Sequence, residues 1–387
     1  MGCSDQQCKA GNQDKLISVQ TNVPVRTCDC SAATSDTARD TNTKHFIIGT
    51  IQTPAGAIPQ ITTRLYVSDY LGAVRVRWGI RRDQYRVDPG LYAVGTPNER
   101  SDVLVTANYK LSFDTVRKNL AGMNVWLMVL DTKGVNVWCS AGKGTFGTKE
   151  LINRIHVSSL GKIIQHKRII LPQLGAVGVA AHQVKESSGY TVIYGPIRAD
   201  DIPSFIQAGY KASKDMRHVH FGWYDRLKLI PNDLIYNLRY LGMLLTFFFI
   251  LAGINTDGFS LRQATEHMKL LSLIILAGYI SGIVFTPLFL PYLFFRSFSF
   301  KGILAGIVVS LIIVSGRQFE NTIFITPMIF FLLSGISSFL AMNFTGASTF
   351  TSLAGVKKEM KVAVPIQIAF GAIATVLIIL NGIFSGK

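Results

Sequence analysis

An α/β domain followed by an all-α domain of five membrane-crossing helices is the fold class this sequence predicts, and two observations predict it. The first is a change of character near residue 230. From Gly242 onward the charged residues all lie between or after apolar blocks, although the chain as a whole carries 39 basic and 23 acidic residues. The second is the alternation of short apolar runs with amphipathic segments between His45 and Arg226, the pattern of strands paired through crossover helices.

Residues 1–44 are rich in Ser, Thr, Asp, Asn and Gln with few large apolar residues, so they read as a mobile extension. Cys3, Cys8, Cys28 and Cys30 lie there. Cys28-Asp29-Cys30 places two thiols close together and could hold a soft metal, but free thiols in a reducing cytosol are the simpler reading. No apolar core follows Met1-Gly2-Cys3, which argues against a signal peptide and for a cytoplasmic α/β domain.

Residues 45–228 have the size and pattern of one α/β domain. Residues 103–106 and 125–130 are apolar runs of buried-strand length, and 113–120 is a helical segment between them, giving a βαβ unit. Asp131-Thr132-Lys133-Gly134 reads as a turn, 135–138 as a short alternating strand, and 139–147 as a glycine-rich loop. A helix is expected from Thr148, with Leu151, Ile152 and Ile155 on one face. Residues 169–171 and 192–194 read as two more strands, ending at Pro172-Gln173-Leu174-Gly175 and Gly195-Pro196. Strand ends with so little side-chain bulk let a large planar ligand approach the backbone, and open α/β sheets bind ligands at the carboxyl ends of their strands.

Residues 229–387 hold five apolar blocks: 234–254, 270–295, 302–314, 323–342 and 362–384. Each approaches the ~20 residues a helix needs to cross a ~30 Å hydrocarbon core. Pro287 and Pro291 predict a kink or re-entrant bend in the second. From Gly242 onward no ionisable residue falls inside a block, which favours an anchor over a pump. Arg296, Lys301, Lys357, Lys358 and Lys361 on one side outnumber Arg262, Lys269 and Arg317 on the other, with Arg226, Lys228 and Arg239 at the entry to the first block. This bias predicts a multi-pass protein of the cytoplasmic (inner) membrane with the N-terminal domain inside. The loop 343–361 then faces the cytoplasm and is expected to pack under the α/β domain or near a partner protein. The net charge of +16 is scattered rather than striped, so attraction to membrane lipid explains it better than nucleic acid does.

Cys139 is the one cysteine outside the first thirty residues, in the run Asn136-Val137-Trp138-Cys139-Ser140-Ala141-Gly142-Lys143-Gly144-Thr145. A lone thiol beside a glycine-rich loop is a ligand or nucleophile candidate rather than a disulfide partner. Gly142-Lys143 is not a phosphate loop, because Gly134 lies eight residues before Gly142 instead of five and Lys143 is followed by Gly144. His156, His166, His182, His218 and His220 show no protease-type signature, and His218-Val219-His220 has no evident third metal ligand.

The stretch from Asn136 to Thr148, followed by five apolar blocks, resembles the corrinoid protein family of microbial mercury methylation (the HgcA family). Residues 90–95, 105–114 and 171–174 also resemble the corrinoid-binding domain of the corrinoid iron–sulfur protein of the acetyl-CoA pathway. The resemblance implies a Rossmann-like corrinoid-binding domain ahead of the membrane helices. It implies cobalamin as the cofactor, base-off, with the Cys139 thiolate as lower ligand to cobalt. Asn136, Val137, Trp138, Ser140, Ala141, Gly142 and Lys143 would form the lower cap, continued by Gly144 and Thr145. Thr106, Asn108, Gln173 and Gly175 would lie near the ring or its nucleotide tail. Ser140 stands where the family usually has Ala, and its hydroxyl is expected to bond the Cys139 sulfur. The implied activity is a methyltransferase one, from methylcobalamin to Hg(II). The implied partners are an iron–sulfur ferredoxin-like reductase (HgcB type) and a methyl donor protein or methyltetrahydrofolate-type donor. A corrinoid methyl carrier of one-carbon metabolism and a non-enzymatic membrane cobalamin-binding protein are the alternatives.

Overall fold

The structure, a computed structural model, describes residues 45–255, 258–316, 322–344 and 353–384. The four extension cysteines and part of the loop 343–361 lie outside the described residues.

A hairpin opens the α/β part: β1 (Ile47–Thr53) and β2 (Gly56–Ile61) are antiparallel. Helix α1 (Val67–Arg77) follows, then β3 (Gly90–Val94), β4 (Val103–Ala107), α2 (Lys110–Asn119) and β5 (Val125–Leu130). After β5 come α3 (Val137–Lys143), α4 (Thr148–Val157), β6 (Arg168–Leu171), α5 (Ala181–Ser188), β7 (Thr191–Tyr194), α6 (Ile202–Gln207) and α7 (Trp223–Leu227). The seven strands form one sheet in the order β1-β2-β3-β5-β4-β6-β7. Strands β4 to β7 are parallel and wound as expected, whereas β3 runs antiparallel to β5. The sheet is therefore mixed, with its parallel half built from the expected strands.

All six residues of β5 are buried. Val125, Leu127 and Val129 pack with Phe113 and Leu120 on one face, while Trp126, Met128 and Leu130 pack with Leu151 and Ile155 on the other. Burial on both faces is why this strand reads as a continuous apolar run. Each fully buried side chain of this kind contributes about 1.5–3 kcal/mol.

A buried ionic cluster locks α1 to α2. Lys110 Nζ donates to Asp69 at 2.6 Å and to Asp114 at 2.7 Å, and Arg117 donates to the same two carboxylates at 2.8 Å each. Arg117 also reaches the carbonyls of Thr62 and Arg64 at 2.8 Å. Because the donors and acceptors are matched, four charges tolerate burial. Burial itself would raise the Asp69 carboxyl, but the bonds from Lys110 and the Tyr66 amide outweigh it and hold the group far below the ordinary carboxylate range.

The C-terminal part consists of α8 (Ile230–Ala252), α9 (Leu261–Ile280), α10 (Thr286–Leu288), α11 (Phe298–Ser315), α12 (Thr322–Asn343) and α13 (Leu353–Phe384). Five segments are long and apolar enough to cross a membrane, α9 and α10 together making the second. That second segment departs from expectation. It passes through a π-helical stretch, Ser281–Phe285, and stops at Leu288 instead of reaching residue 295. Pro291 removes a backbone donor just beyond, and the Leu288 carbonyl accepts from Arg226 Nη1 at 2.9 Å. The helix α13 starts at Leu353, so residues 353–361, expected to be loop, are helical. Helix α11 likewise starts before its block and carries Lys301 in its first turn, where Nζ donates to the Leu290 carbonyl at 2.6 Å. At the same end of the bundle Phe344 meets Phe221 and Phe298, placing the start of the loop 343–361 against the segment that leads out of the α/β part.

Candidate functional site

The chain winds from β4 to β5 in one direction and from β6 to β7 in the other, so strand order reverses between β4 and β6. A cavity of about 700 Å³ opens at that reversal, where ligands of open α/β sheets bind. Thr106 at the end of β4, Leu171 at the end of β6, Tyr109, and Asn136, Val137 and Trp138 line it. A second cavity, about 500 Å³, lies beside Asn98 and Trp126 near the amino ends of β4 and β5 and holds none of the candidate residues.

Helix α3 replaces the expected strand at 135–138 and most of the expected loop. The Asn136 side chain accepts a hydrogen bond from the Cys139 amide at 2.9 Å and caps the helix. Gly144, at φ 80°, closes it in the left-handed conformation. A good N-cap and a C-terminal glycine bracketing seven residues outweigh the two-residue alternation of Val135 and Val137. Cys139 thus sits in the first turn of a short helix, where it is exposed and unpaired. Ser140 corrects another expectation: its hydroxyl is buried and donates to the carbonyls of Asn136 at 2.6 Å and Val137 at 3.1 Å, so it braces its own helix rather than the Cys139 sulfur. Ala141 is buried under the helix, and Gly142, Lys143 and Gly144 lie exposed at its far end. Thr145 donates to the Ser140 carbonyl at 3.4 Å.

Of the remaining candidates, only Thr106 is among the residues that line the cavity. It is 1 % exposed, and its Oγ1 is buried with no hydrogen-bond partner. Asn108 is committed to the framework. It donates to Asp131 at 3.0 Å and accepts from the Thr132 amide, the Thr132 hydroxyl and the Gly134 amide at 2.8–3.1 Å, stapling the turn that leads into α3. Burial acts to raise the Asp131 carboxyl, yet the bonds from Lys133 and Asn108 prevail and lower it. Gln173 accepts from Arg217. Gly175 makes room for Phe146, whose ring a Cβ would approach to 2.5 Å.

Sequence reasoning overlooked Tyr109 and Gly178. Tyr109 lines the cavity, and burial pushes its phenol up. A Cβ on Gly178 would meet the Phe146 carbonyl at 2.1 Å and Ala141 Cα at 3.0 Å, so glycine there lets the loop press against α3. Tyr109 lies in the segment 105–114 that carries the resemblance, but nothing local marks Gly178, whose need is set by a helix some forty residues earlier in the chain. Among the described residues no three His, Cys, Asp or Glu side chains gather in a metal-binding group. His218 bonds the Lys214 carbonyl and His220 bonds Asp215, so neither ring is arranged with the other as a chelate.

Comparison with known proteins places this site within a recurring segment. The acetyl-CoA decarbonylase/synthase complex subunit gamma of Methanopyrus kandleri is 30% identical over 128 residues, which is 33% of this chain and 27% of that protein. The corresponding subunit of Archaeoglobus fulgidus is 28% identical over 131 residues, 33% of this chain and 27% of that protein. The corrinoid/iron-sulfur protein large subunit of Moorella thermoacetica is 30% identical over 125 residues, 32% of this chain and 28% of that protein. The chain thus spans about a quarter of the length of these relatives. Over residues 76–206, which hold α3 and all of the cavity's lining except Asp225 and Lys228, it is similar to the family of the CO dehydrogenase/acetyl-CoA synthase delta subunit.

Proposed function

We propose that this chain is a membrane-anchored corrinoid protein that takes part in methyl transfer, with Cys139 as the lower ligand to cobalt. The observation that carries the reading is the 700 Å³ cavity at the strand reversal, lined by Asn136, Val137 and Trp138 at the start of the helix that bears Cys139, with Cys139 itself exposed beside it rather than in its lining. The residues present fit a corrinoid. Thr106 Oγ1 is a buried hydroxyl without a partner in the cavity wall, and such groups are rare unless something is there to bond them. When bound, a corrinoid supplies a cobalt that takes up and releases a methyl group. The protein's part is positioning. Asn136 fixes the turn that carries the thiol, Val137 and Trp138 line the cavity, and the four bonds of Asn108 hold the preceding turn in place. An iron–sulfur reductant and a methyl donor of the methyltetrahydrofolate type are the partners this chemistry requires.

The relatives support the one-carbon, acetyl-CoA side of this reading: a carrier that hands its methyl group to another enzyme. Hg(II) as acceptor is the second reading, and Cys139 is what favours it, because a thiolate donating charge to the cobalt would favour transfer of the methyl group with its bonding pair to an electrophile such as Hg(II). The membrane part serves both as an anchor, with the α/β part on the cytoplasmic side. The test is the full chain in detergent, incubated with methylcobalamin, then separately with Hg(II) and with an acetyl-CoA-forming enzyme system. Uptake of the corrinoid with a changed absorption spectrum is expected, and Cys139→Ala should lose that spectral change while staying folded. An unaltered spectrum in the native chain would overturn the thiolate ligand. Methylmercury alone, or acetyl-CoA alone, would decide the acceptor.

A further inference from the structure

Helix α1 carries an apolar face that the cavity does not use. Val67, Tyr70, Leu71, Val74 and Trp78 follow the spacing i, i+3, i+4, i+7, i+11, which gathers them on one side of a helix. All five are between 42 % and 74 % exposed. The stripe cannot turn inward. Asp69 and Val76, on the opposite side, are buried, and Asp69 is held by Lys110 and Arg117. Arg75 and Arg77 flank the stripe on either side, and Arg64 and Arg81 are exposed at its two ends.

The chain just beyond the stripe meets α8 of the helical bundle. A Cβ on Gly79, just past α1, would lie 3.8 Å from the Ile235 side chain of α8, and Arg82 Nη1 donates to Asn232 Oδ1 at 2.8 Å. Next along α8 stand the exposed Tyr236 and Tyr240. Arg239 sits over both rings, 5.2 and 4.6 Å from their centroids, and donates to the Tyr240 hydroxyl at 2.8 Å. Aromatic rings and a basic group at the end of an apolar helix mark the membrane–water boundary. The apolar face of α1 is therefore continuous with the outward surface of α8 at the depth of that boundary.

We propose that α1 is an in-plane membrane helix, its stripe dipping into the interface and Arg64, Arg75 and Arg81 meeting anionic lipid head groups. A flat contact with lipid suits this geometry: arginines at the edges of an apolar stripe bury their stems and keep their heads at the phosphate level. The contact would hold the strand-end cavity of the α/β part at the membrane surface, independently of what that cavity binds. The proposal rests on the reading of α8 to α13 as membrane-embedded, and the test separates the two.

The full chain is reconstituted into vesicles containing anionic lipid, with a photoreactive benzophenone side chain replacing Leu71 or Val74 in α1, Leu311 in α11, or Val157 at the exposed end of α4. After irradiation the adducts are identified by mass. Lipid adducts at Leu71 and Val74 comparable to those at Leu311, and on the order of tenfold above those at Val157, are expected. Lipid adducts at Leu311 without any at Leu71 or Val74 would overturn the in-plane helix alone. So would α1 adducts to a second copy or to another protein. Absence of lipid adducts at Leu311 as well would overturn the membrane reading itself. Should the labelled α1 variants not fold, quenching of native tryptophan fluorescence by brominated lipid replaces them. Trp78→Phe should then lower the quenched fraction, and an unchanged fraction would count against the proposal.

Discussion

At the scale of single residues, the same few side chains divide into those that face the cavity and those that build its wall. Asn108 and Ser140 are polar and buried, yet every bond they make is internal, so their work is to hold the turn before α3 and the helix itself. Thr106 is the opposite case. Its hydroxyl is desolvated without return, which costs about 1–3 kcal/mol in the free protein. Thr106→Val, of nearly the same shape, should therefore leave thermal stability unchanged or slightly raised while weakening corrinoid uptake several-fold. Parallel melting and cobalamin titration of the full chain check this. A clear loss of stability with uptake unaffected would show that the hydroxyl has an internal partner instead.

At the scale of elements, α1 and α2 are joined by charge rather than by apolar packing alone, and this makes their union sensitive to acid. The folded Asp69 carboxyl titrates below its unfolded value of ~3.9, so its stabilisation is complete above that value and is lost as pH falls toward the folded one. The near-ultraviolet circular dichroism of the protein should hold steady down to about pH 4 and be lost progressively below it. Asp69→Ala should cost about 3–5 kcal/mol at neutral pH, because Lys110 and Arg117 would stay buried with one of their two carboxylate partners gone. Asp69→Asn keeps the shape and removes the titration, so acid sensitivity in that variant should shift toward the remaining carboxylates.

At the scale of the whole molecule, the α/β part and the bundle are tied by named bonds: Arg226 to the carbonyls of Pro287 and Leu288, and Arg82 to Asn232. Arg226 meets the carbonyl end of a helix, where cations are favoured. The alternation of the five apolar helices puts Thr265 at the end of the bundle away from the α/β part and Lys357 at the near end. With that part in the cytoplasm, Thr265→Cys should react with a membrane-impermeant thiol reagent added to intact cells, and Lys357→Cys should react only after lysis. The reverse pattern would invert the topology.

What the sequence determined by itself was what repeats along the chain. Helical segments and strands buried on both faces, such as β5, announce themselves because burial selects apolar side chains at every position. The apolar blocks announce themselves because hydrocarbon excludes charge over a whole helix length. The special character of Asn136 to Gly144 was legible too, since Asn, Cys and closely spaced glycines are each costly or reactive outside particular settings. Tertiary structure alone decided the rest. That 137–143 is a helix follows from a cap at Asn136 and a turn pinned by Asn108, which lies in a different strand connection. The antiparallel entry of β3 and the end of the second apolar segment at Leu288 likewise depend on partners far along the chain. Thr106, Gly178 and the face of α1 acquire their meaning only from neighbours brought together by folding. Local spacing records the free energy of a segment with its own residues, whereas a cavity, a close approach or an exposed stripe exists only between segments.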